Sequence, residues 1–237
     1  MPEAVEAMFD KKLGIEVGHP YDTLIFEEPM AYCDSPMCVS RRAHNQKSPF
    51  EMPQRTAEEK RELIKKNEPV HQNCPECGSI LKDAEYATGA DWARKIDWTI
   101  IQTWRIDCNP MRLVCWYRGA RQPWALMVEE YDWQIEKYNS NAAHDATGLG
   151  DVVAEMVRNP AEDVLMVGRE RKDMISEYIG ACERGEILMP HIEYVYTEHK
   201  FASVDDLFGT GHLPDTISSG AITLIAAGYG GSLAIAI

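Results

Sequence analysis

No stretch of this 237-residue chain approaches the roughly 18 consecutive apolar residues that a membrane-crossing helix needs. The first residues include Glu3 and Glu6 and lack the basic, apolar pattern of a secretory leader, so the chain reads as cytosolic. A Gly-x-x-x-x-Gly-Lys-Ser/Thr loop is also missing, which removes ATP binding by that route. Basic residues are scarce: 24 Lys and Arg stand against 38 Asp and Glu, a formal charge of -14. That balance excludes a general nucleic-acid coat, whose binding face must be basic. It leaves open an enzyme that grips phosphates through metal ions and a few local cations. No internal repeat is present. The 45% of hydrophobic residues suffices for one large domain, or one domain and a small module.

Cysteine is where the chain is uneven. Cys33 and Cys38 form one close pair, and Cys74 and Cys77 form another within Cys-Pro-Glu-Cys-Gly. Two such pairs in a reducing compartment point to a tetrahedral thiolate zinc site rather than to disulfides. The wider spacing of the first pair leaves His44 or His71 as a possible substitute for one thiol. A redox Cys-x-x-Cys and plain buried cysteines are the other readings. A charged helix is predicted between the pairs, from about Thr56 to Lys66. Cys108, Cys115 and Cys182 lie in apolar surroundings and read as core residues. Ahead of this stretch, Ala4, Val5, Met8 and Phe9 mark a short amphipathic helix, followed by an extended Thr23-Leu24-Ile25-Phe26.

From Glu85 onward the pattern becomes that of an α/β domain. Strands are predicted at 86–91, 97–104 and 111–117, with short polar links that suit antiparallel neighbours. Pro123 opens a helix whose core face is Leu126, Met127, Tyr131, Ile135 and Tyr138. A fourth strand then runs to Asp145, and Thr147-Gly148-Leu149-Gly150-Asp151 turns the chain into a helix carrying Val152, Val153, Met156 and Val157. A further strand is predicted at 164–168, a helix from Arg171 to Arg184, and an edge strand at 187–190. The last helix starts near Pro214-Asp215 with Ile217, Ala221, Leu224 and Ile225 on one side. The glycine-rich segment after it reads as a frayed tail.

Three antiparallel strands, a helix, and then alternating strands and helices is the element order of a ribonuclease H-like domain: a mixed sheet flanked by helices. In that order the first and fourth strands lie side by side, so Asp91 and Asp145 become neighbours. Asp215, at the start of the last helix, can lean over the same sheet edge. Three converging oxygen donors suit a pair of Mg²⁺ or Mn²⁺ ions. Taken singly, each acid also reads as a helix cap or a solvated group. Arg94, Lys95, Arg169, Arg171 and Lys172 flank the acids and are the local cations available to DNA phosphates.

Several motifs in order resemble the nuclease domain of the large terminase subunit of tailed bacteriophages, over residues 85 to about 228. They are Gly89-Ala90-Asp91 with Asp97-Trp98-Thr99, then Asp145-Ala146-Thr147-Gly148-Leu149-Gly150. Next come Arg171-Lys172, Gly185-Glu186-Ile187-Leu188-Met189-Pro190 and His212-Leu213-Pro214-Asp215. The resemblance implies a metal-dependent endonuclease that cuts concatemeric viral DNA during genome packaging. Asp91, Asp145 and Asp215 would be its metal ligands, His212 an auxiliary group and Asp97 a helper, while Lys172 would pack near the site or meet a phosphate. It also implies double-stranded DNA, a packaging ATPase, a small terminase subunit and a portal as partners, in the cytoplasm of an infected host. The family's acid doublet before the last helix is reduced here to Pro214-Asp215. No ATPase motor precedes the cysteine-rich stretch, so the chain reads as an excised C-terminal region or the product of a split gene.

These readings divide the chain into an N-terminal segment (1–32), a small zinc-knuckle module (33–84), a ribonuclease H-like domain (85–228) and a flexible tail (229–237). Two rivals remain. A zinc-bearing packaging scaffold would carry the same acids without using them. An adenosylmethionine-dependent methyltransferase would use the strand, acid and glycine turn differently, but wants an acid ending the next strand, which here ends in Val167-Gly168-Arg169.

Overall fold

A computed structural model of the chain describes residues 2–10, 23–36, 38, 50–92, 98–120, 122–147, 153 and 155–229. Glu27–Glu85 form one compact unit; Met1–Phe26 together with Tyr86–Ile237 form the other. No helix among the described residues is long and apolar enough to cross a membrane.

The chain opens with the helix Pro2–Met8, strand β1 (Phe9–Asp10) and strand β2 (Leu24–Ile25). The smaller unit follows as β3 (Met30–Tyr32), β4 (Glu51–Pro53), the helix Ala57–Lys65 and β5 (Lys82–Asp83), with β3 between β4 and β5. Thr56 starts that helix as predicted: its hydroxyl accepts from the Glu59 N–H, while the Glu59 carboxylate accepts from the Thr56 N–H. The unit's core is little more than Ala31, Cys33, Cys38, Cys74 and Leu81.

The larger unit continues with β6 (Tyr86–Asp91), β7 (Thr99–Arg105) and β8 (Met111–Gly119). The helix Trp124–Tyr138 and β9 (Asn141–Asp145) come next. Then follow β10 (Glu162–Val164), the helix Gly168–Glu183, β11 (Ile187–Pro190) and the helices Glu193–Phe201, Val204–Phe208 and Asp215–Ala226. The sheet order is β1-β11-β8-β7-β6-β9-β10, with β2 also paired to β8. β6, β7 and β8 are mutually antiparallel, whereas β9 runs parallel to β6 and β10 parallel to β9. This is the ribonuclease H-like arrangement, with the first and fourth strands of the domain side by side.

Alternation along the strands sends side chains to two cores. One face packs Ile101, Tyr117 and Ala90 under Met127, Tyr131 and Ile135 of the helix Trp124–Tyr138. The other packs Ile100, Trp104 and Trp116 under Ile175, Ile217 and Leu224 of the helices Gly168–Glu183 and Asp215–Ala226. β7, covered on both faces, is buried at every residue.

Gly89 sets how closely the last helix approaches. A Cβ there would lie 2.4 Å from the Thr223 amide nitrogen and 2.7 Å from its Cα, backbone that no side-chain rotation can move aside. Gly89→Ala should therefore push the helix off the sheet and destabilise the fold by about 3 kcal/mol. The check is the urea midpoint: an unchanged midpoint would contradict this close packing.

Four details differ from the sequence pattern. β10 begins two residues early, at Glu162, and leaves Leu165 and Val167 exposed. β9 ends at Asp145, opposite Val164, so no partner exists for a longer strand. β11 is not an edge, because β1 pairs alongside it. Leu126 is exposed, and Val128, two residues on, is in the core instead. The helices Glu193–Phe201 and Val204–Phe208 have too little apolar periodicity to be read from sequence. Cys115 and Cys182 are buried and Cys108 is partly so. The turn 148–152 lies outside the described residues, but the Met156 and Val157 N–H groups both donate to the Val153 carbonyl, as in a helical turn.

Candidate metal centres

The smaller unit brings Cys33, Cys38, Cys74 and Cys77 together, with all four sulfurs within 4.8 Å of one another. Among the described residues this is the group of three or more potential ligands that meets such spacing. The Cys33 and Cys77 sulfurs are 3.5 Å apart and those of Cys38 and Cys74 3.6 Å, far beyond the ~2.05 Å of a disulfide. Four sulfurs at the ~2.3 Å zinc–sulfur distance of a tetrahedron stand ~3.8 Å apart, so the set needs almost no rearrangement. The turn Cys74–Gly78 is closed by the Gly78 N–H donating to the Cys74 carbonyl, with Gly78 at φ 74°.

The donor chemistry fits a dication. Hydrogen bonds from the Ser79 hydroxyl and backbone hold the Cys77 thiol down to about 6, so it is a thiolate at neutral pH. Burial pushes the Cys33 and Cys38 thiols up. An apolar pocket could keep several thiolates only with positive charge among them, which a zinc ion would supply. His71 stands outside the set, and His44 outside the described residues.

The larger unit aligns the acids. β6 and β9 pair with Ala90 opposite His144, so the next residues, Asp91 and Asp145, end the two strands side by side. Both acids lie on the sheet face covered by the helix Asp215–Ala226, since Gly89 and Ala143, two residues earlier, meet Thr223 and Ile222 there. The Asp145 carboxylate accepts from the Thr147 N–H at 2.7 Å. The preceding His144 is buried, packs edge-on against Trp92 and Tyr131, and sets its Nε2 3.1 Å from Asp163. Its side chain fills the opposite core and anchors the strand end.

Asp215 reaches the same edge from the last helix. Its Oδ2 accepts from the Trp98 N–H at 2.9 Å, just ahead of β7. Three hydrogen bonds lock the helix start behind it. Gln102 Nε2 donates to the Thr216 carbonyl and the Ser219 hydroxyl, and the Glu198 carboxylate accepts from the Thr216 hydroxyl at 2.6 Å. The three carboxylates do not close to mutual ligand distance.

The remaining sequence candidates divide. His212 is exposed and joins no common ligand set with the acids. Arg171 donates to the Asp206 carbonyl at 3.2 Å, and Lys172 is exposed. Both lie in the first turns of the helix that follows β10, whose Val164 pairs with Asp145. Arg94, Lys95 and Asp97 lie outside the described residues. Motif reading missed Arg118, which pairs with Ile100 as Asp91 does and so stands at the same level of the sheet. The one available signal was a cation inside the otherwise apolar run Leu113–Tyr117 and its continuation.

Sheet order and acid placement define a ribonuclease H-like domain. Solved structures that share this fold include the large terminase nuclease from thermophilic phage G20c, with a TM-score of 0.52 and 18% identity over 66% of this chain and 86% of that one. The same nuclease with bound zinc matches with a TM-score of 0.50 and 20% identity, over 66% and 85% of the two chains. At such identity the likeness is one of fold. No protein-family model matches the chain, and no curated protein matches it.

Proposed function

We propose that this chain is a metal-dependent DNA endonuclease of the large-terminase kind, which cuts concatemeric viral DNA during genome packaging. The observation that carries the reading is the placement of Asp91 and Asp145 at neighbouring strand ends, on the face where the last helix presents Asp215. The fold shared with a phage terminase nuclease supports it.

When bound, a pair of Mg²⁺ or Mn²⁺ ions supplies an activated water and neutralises charge on the leaving oxygen. Asp91 and Asp145 would hold one such ion between adjacent strand ends, and Asp215 would complete the shell of the second. His212, three residues earlier, would handle the leaving-group proton. Arg171 and Lys172 would take DNA phosphates as the strand passes Asp145, helped by Arg94 and Lys95. Residues 85–228 act as the nuclease in this reading and residues 33–84 as a zinc-bound module. Double-stranded DNA, an ATPase motor, the small terminase subunit and a portal are the partners, in the host cytoplasm.

The test uses supercoiled plasmid. The chain should nick and then linearise it in Mn²⁺ and leave it intact in EDTA, with activity falling as salt rises, because a net charge of -14 leaves weak binding to a few local cations. Plasmid left intact in Mn²⁺ at low salt would sink the nuclease reading. A zinc-bearing packaging scaffold would then stand, since the cysteines meet ligand spacing while the acids do not.

A further inference from the structure

Arg118 sits where no local motif would place a functional residue. Its guanidinium carbon lies 3.8 Å from the centre of the Trp98 ring and 4.0 Å from that of Tyr194. Contacts with two rings fix the plane of the group and leave its N–H edge to set what it binds. Trp98 is the residue whose N–H holds Asp215, and the Tyr194 hydroxyl in turn accepts from the Trp116 indole N–H. The cation is thus built into the same edge as the acids.

Among the described residues no carboxylate forms an ion pair with Arg118, and its buried Nε has no hydrogen-bond partner. Three other arginines of the unit meet carboxylates: Arg105 meets Asp107, Arg158 meets Asp132, and Arg184 meets Glu177 and Glu186. In a chain with 38 acids, a half-buried guanidinium held between two rings and ion-paired with no acid among the described residues indicates an anion that comes from outside.

Register gives its distance from the acids. Asp91 pairs with Ile100, and Ile100 with Arg118, so the three side chains share one face. Two strand spacings separate Arg118 from Asp91, about 10 Å. That backbone spacing sets the cation beside the acids rather than among them, where it can meet a neighbouring phosphate of the same strand.

We propose that Arg118, oriented by Trp98 and Tyr194, binds a DNA backbone phosphate beside the one that is cut, and so sets the path of the strand across the sheet edge. The inference rests on the nuclease reading above. Arg118→Gln removes the charge, and Arg118→Lys keeps charge while losing the planar fork. Arg184→Gln, far from the acids and paired within its own loop, serves as the charge-matched control.

The experiment measures binding of a short fluorescent duplex in Ca²⁺ across a salt series, together with plasmid nicking in Mn²⁺, on the full chain. For Arg118→Gln the expected result is about a tenfold loss of affinity, a salt slope lower by about one, and a raised KM with kcat little changed. Arg118→Lys should recover part of the affinity and the full slope, and Arg184→Gln should match wild type. A merely structural role would lower the melting temperature of Arg118→Gln but leave the salt slope of the folded protein unmoved. Wild-type slope and affinity in that variant would overturn the inference while leaving the nuclease reading intact. Wild-type protein that binds duplex without cutting, together with weakened binding by Arg118→Gln, would keep the inference and sink the nuclease reading. Absence of any binding by wild type would overturn both.

Discussion

Asp145→Asn is expected to slow plasmid nicking in Mn²⁺ by at least about 100-fold, or ~2.7 kcal/mol of barrier, with the fold intact. Asp145 ends β9 beside Asp91, so its carboxylate is the one best placed to share an ion with a second strand. An amide has the same size but lacks the negative charge that balances two dications. The local structure should survive, because the amide oxygen of the variant can still accept the Thr147 N–H that Asp145 Oδ1 accepts at 2.7 Å. Removing one of several facing carboxylates also relieves repulsion. The melting temperature should therefore change by no more than a few degrees, and Asp91→Asn and Asp215→Asn should behave alike. An Asp145→Asn variant that cuts at the wild-type rate would show that the metal centre lies elsewhere.

Stripping zinc should unfold the smaller unit. Its buried core consists of three cysteines, Ala31 and Leu81, far too little apolar surface to hold three short strands. A four-thiolate site contributes about 10 kcal/mol to folding in small zinc domains, more than this core can replace. Protein purified without a metal-binding tag should contain about one zinc per chain. After chelation, amide exchange should rise across residues 27–85 while the buried strands β6 and β7 stay protected. Cys74→Ser should do the same without a chelator. Zinc-free protein with a protected residue 27–85 region would refute a structural zinc. Chelation must be kept apart from the nicking assay, since EDTA also removes the ions required there.

Much of this architecture was legible because it is written over short spans. Tyr86–Asp91 and Asn141–Asp145 each combine a buried apolar run with a terminal acid, and the glycines that follow the second mark its end. The two cysteine pairs need only their own spacing to be recognised. What escaped notice depended on partners distant in sequence. β1 covers β11 through Phe9, which pairs with Met189 although 180 positions (189 − 9) separate them. The residues 193–208 form helices whose buried faces, such as Val195, His199 and Leu207, are too sparse to show a period. Arg118 reads locally as an interruption in an apolar strand.

By itself the sequence placed Asp91 and Asp145 at the ends of their strands and marked Cys33 with Cys38 and Cys74 with Cys77 as close pairs. Alternation, capping and turn chemistry act over a few residues, so a linear pattern carries them. Tertiary structure alone decided that Asp215 meets the Trp98 N–H across 117 residues, and that Gly89 admits the last helix to within backbone contact. It alone set Arg118 against two rings from different segments. Such contacts arise from close packing of elements far apart in the chain, and packing is satisfied by shape and volume rather than by any local period.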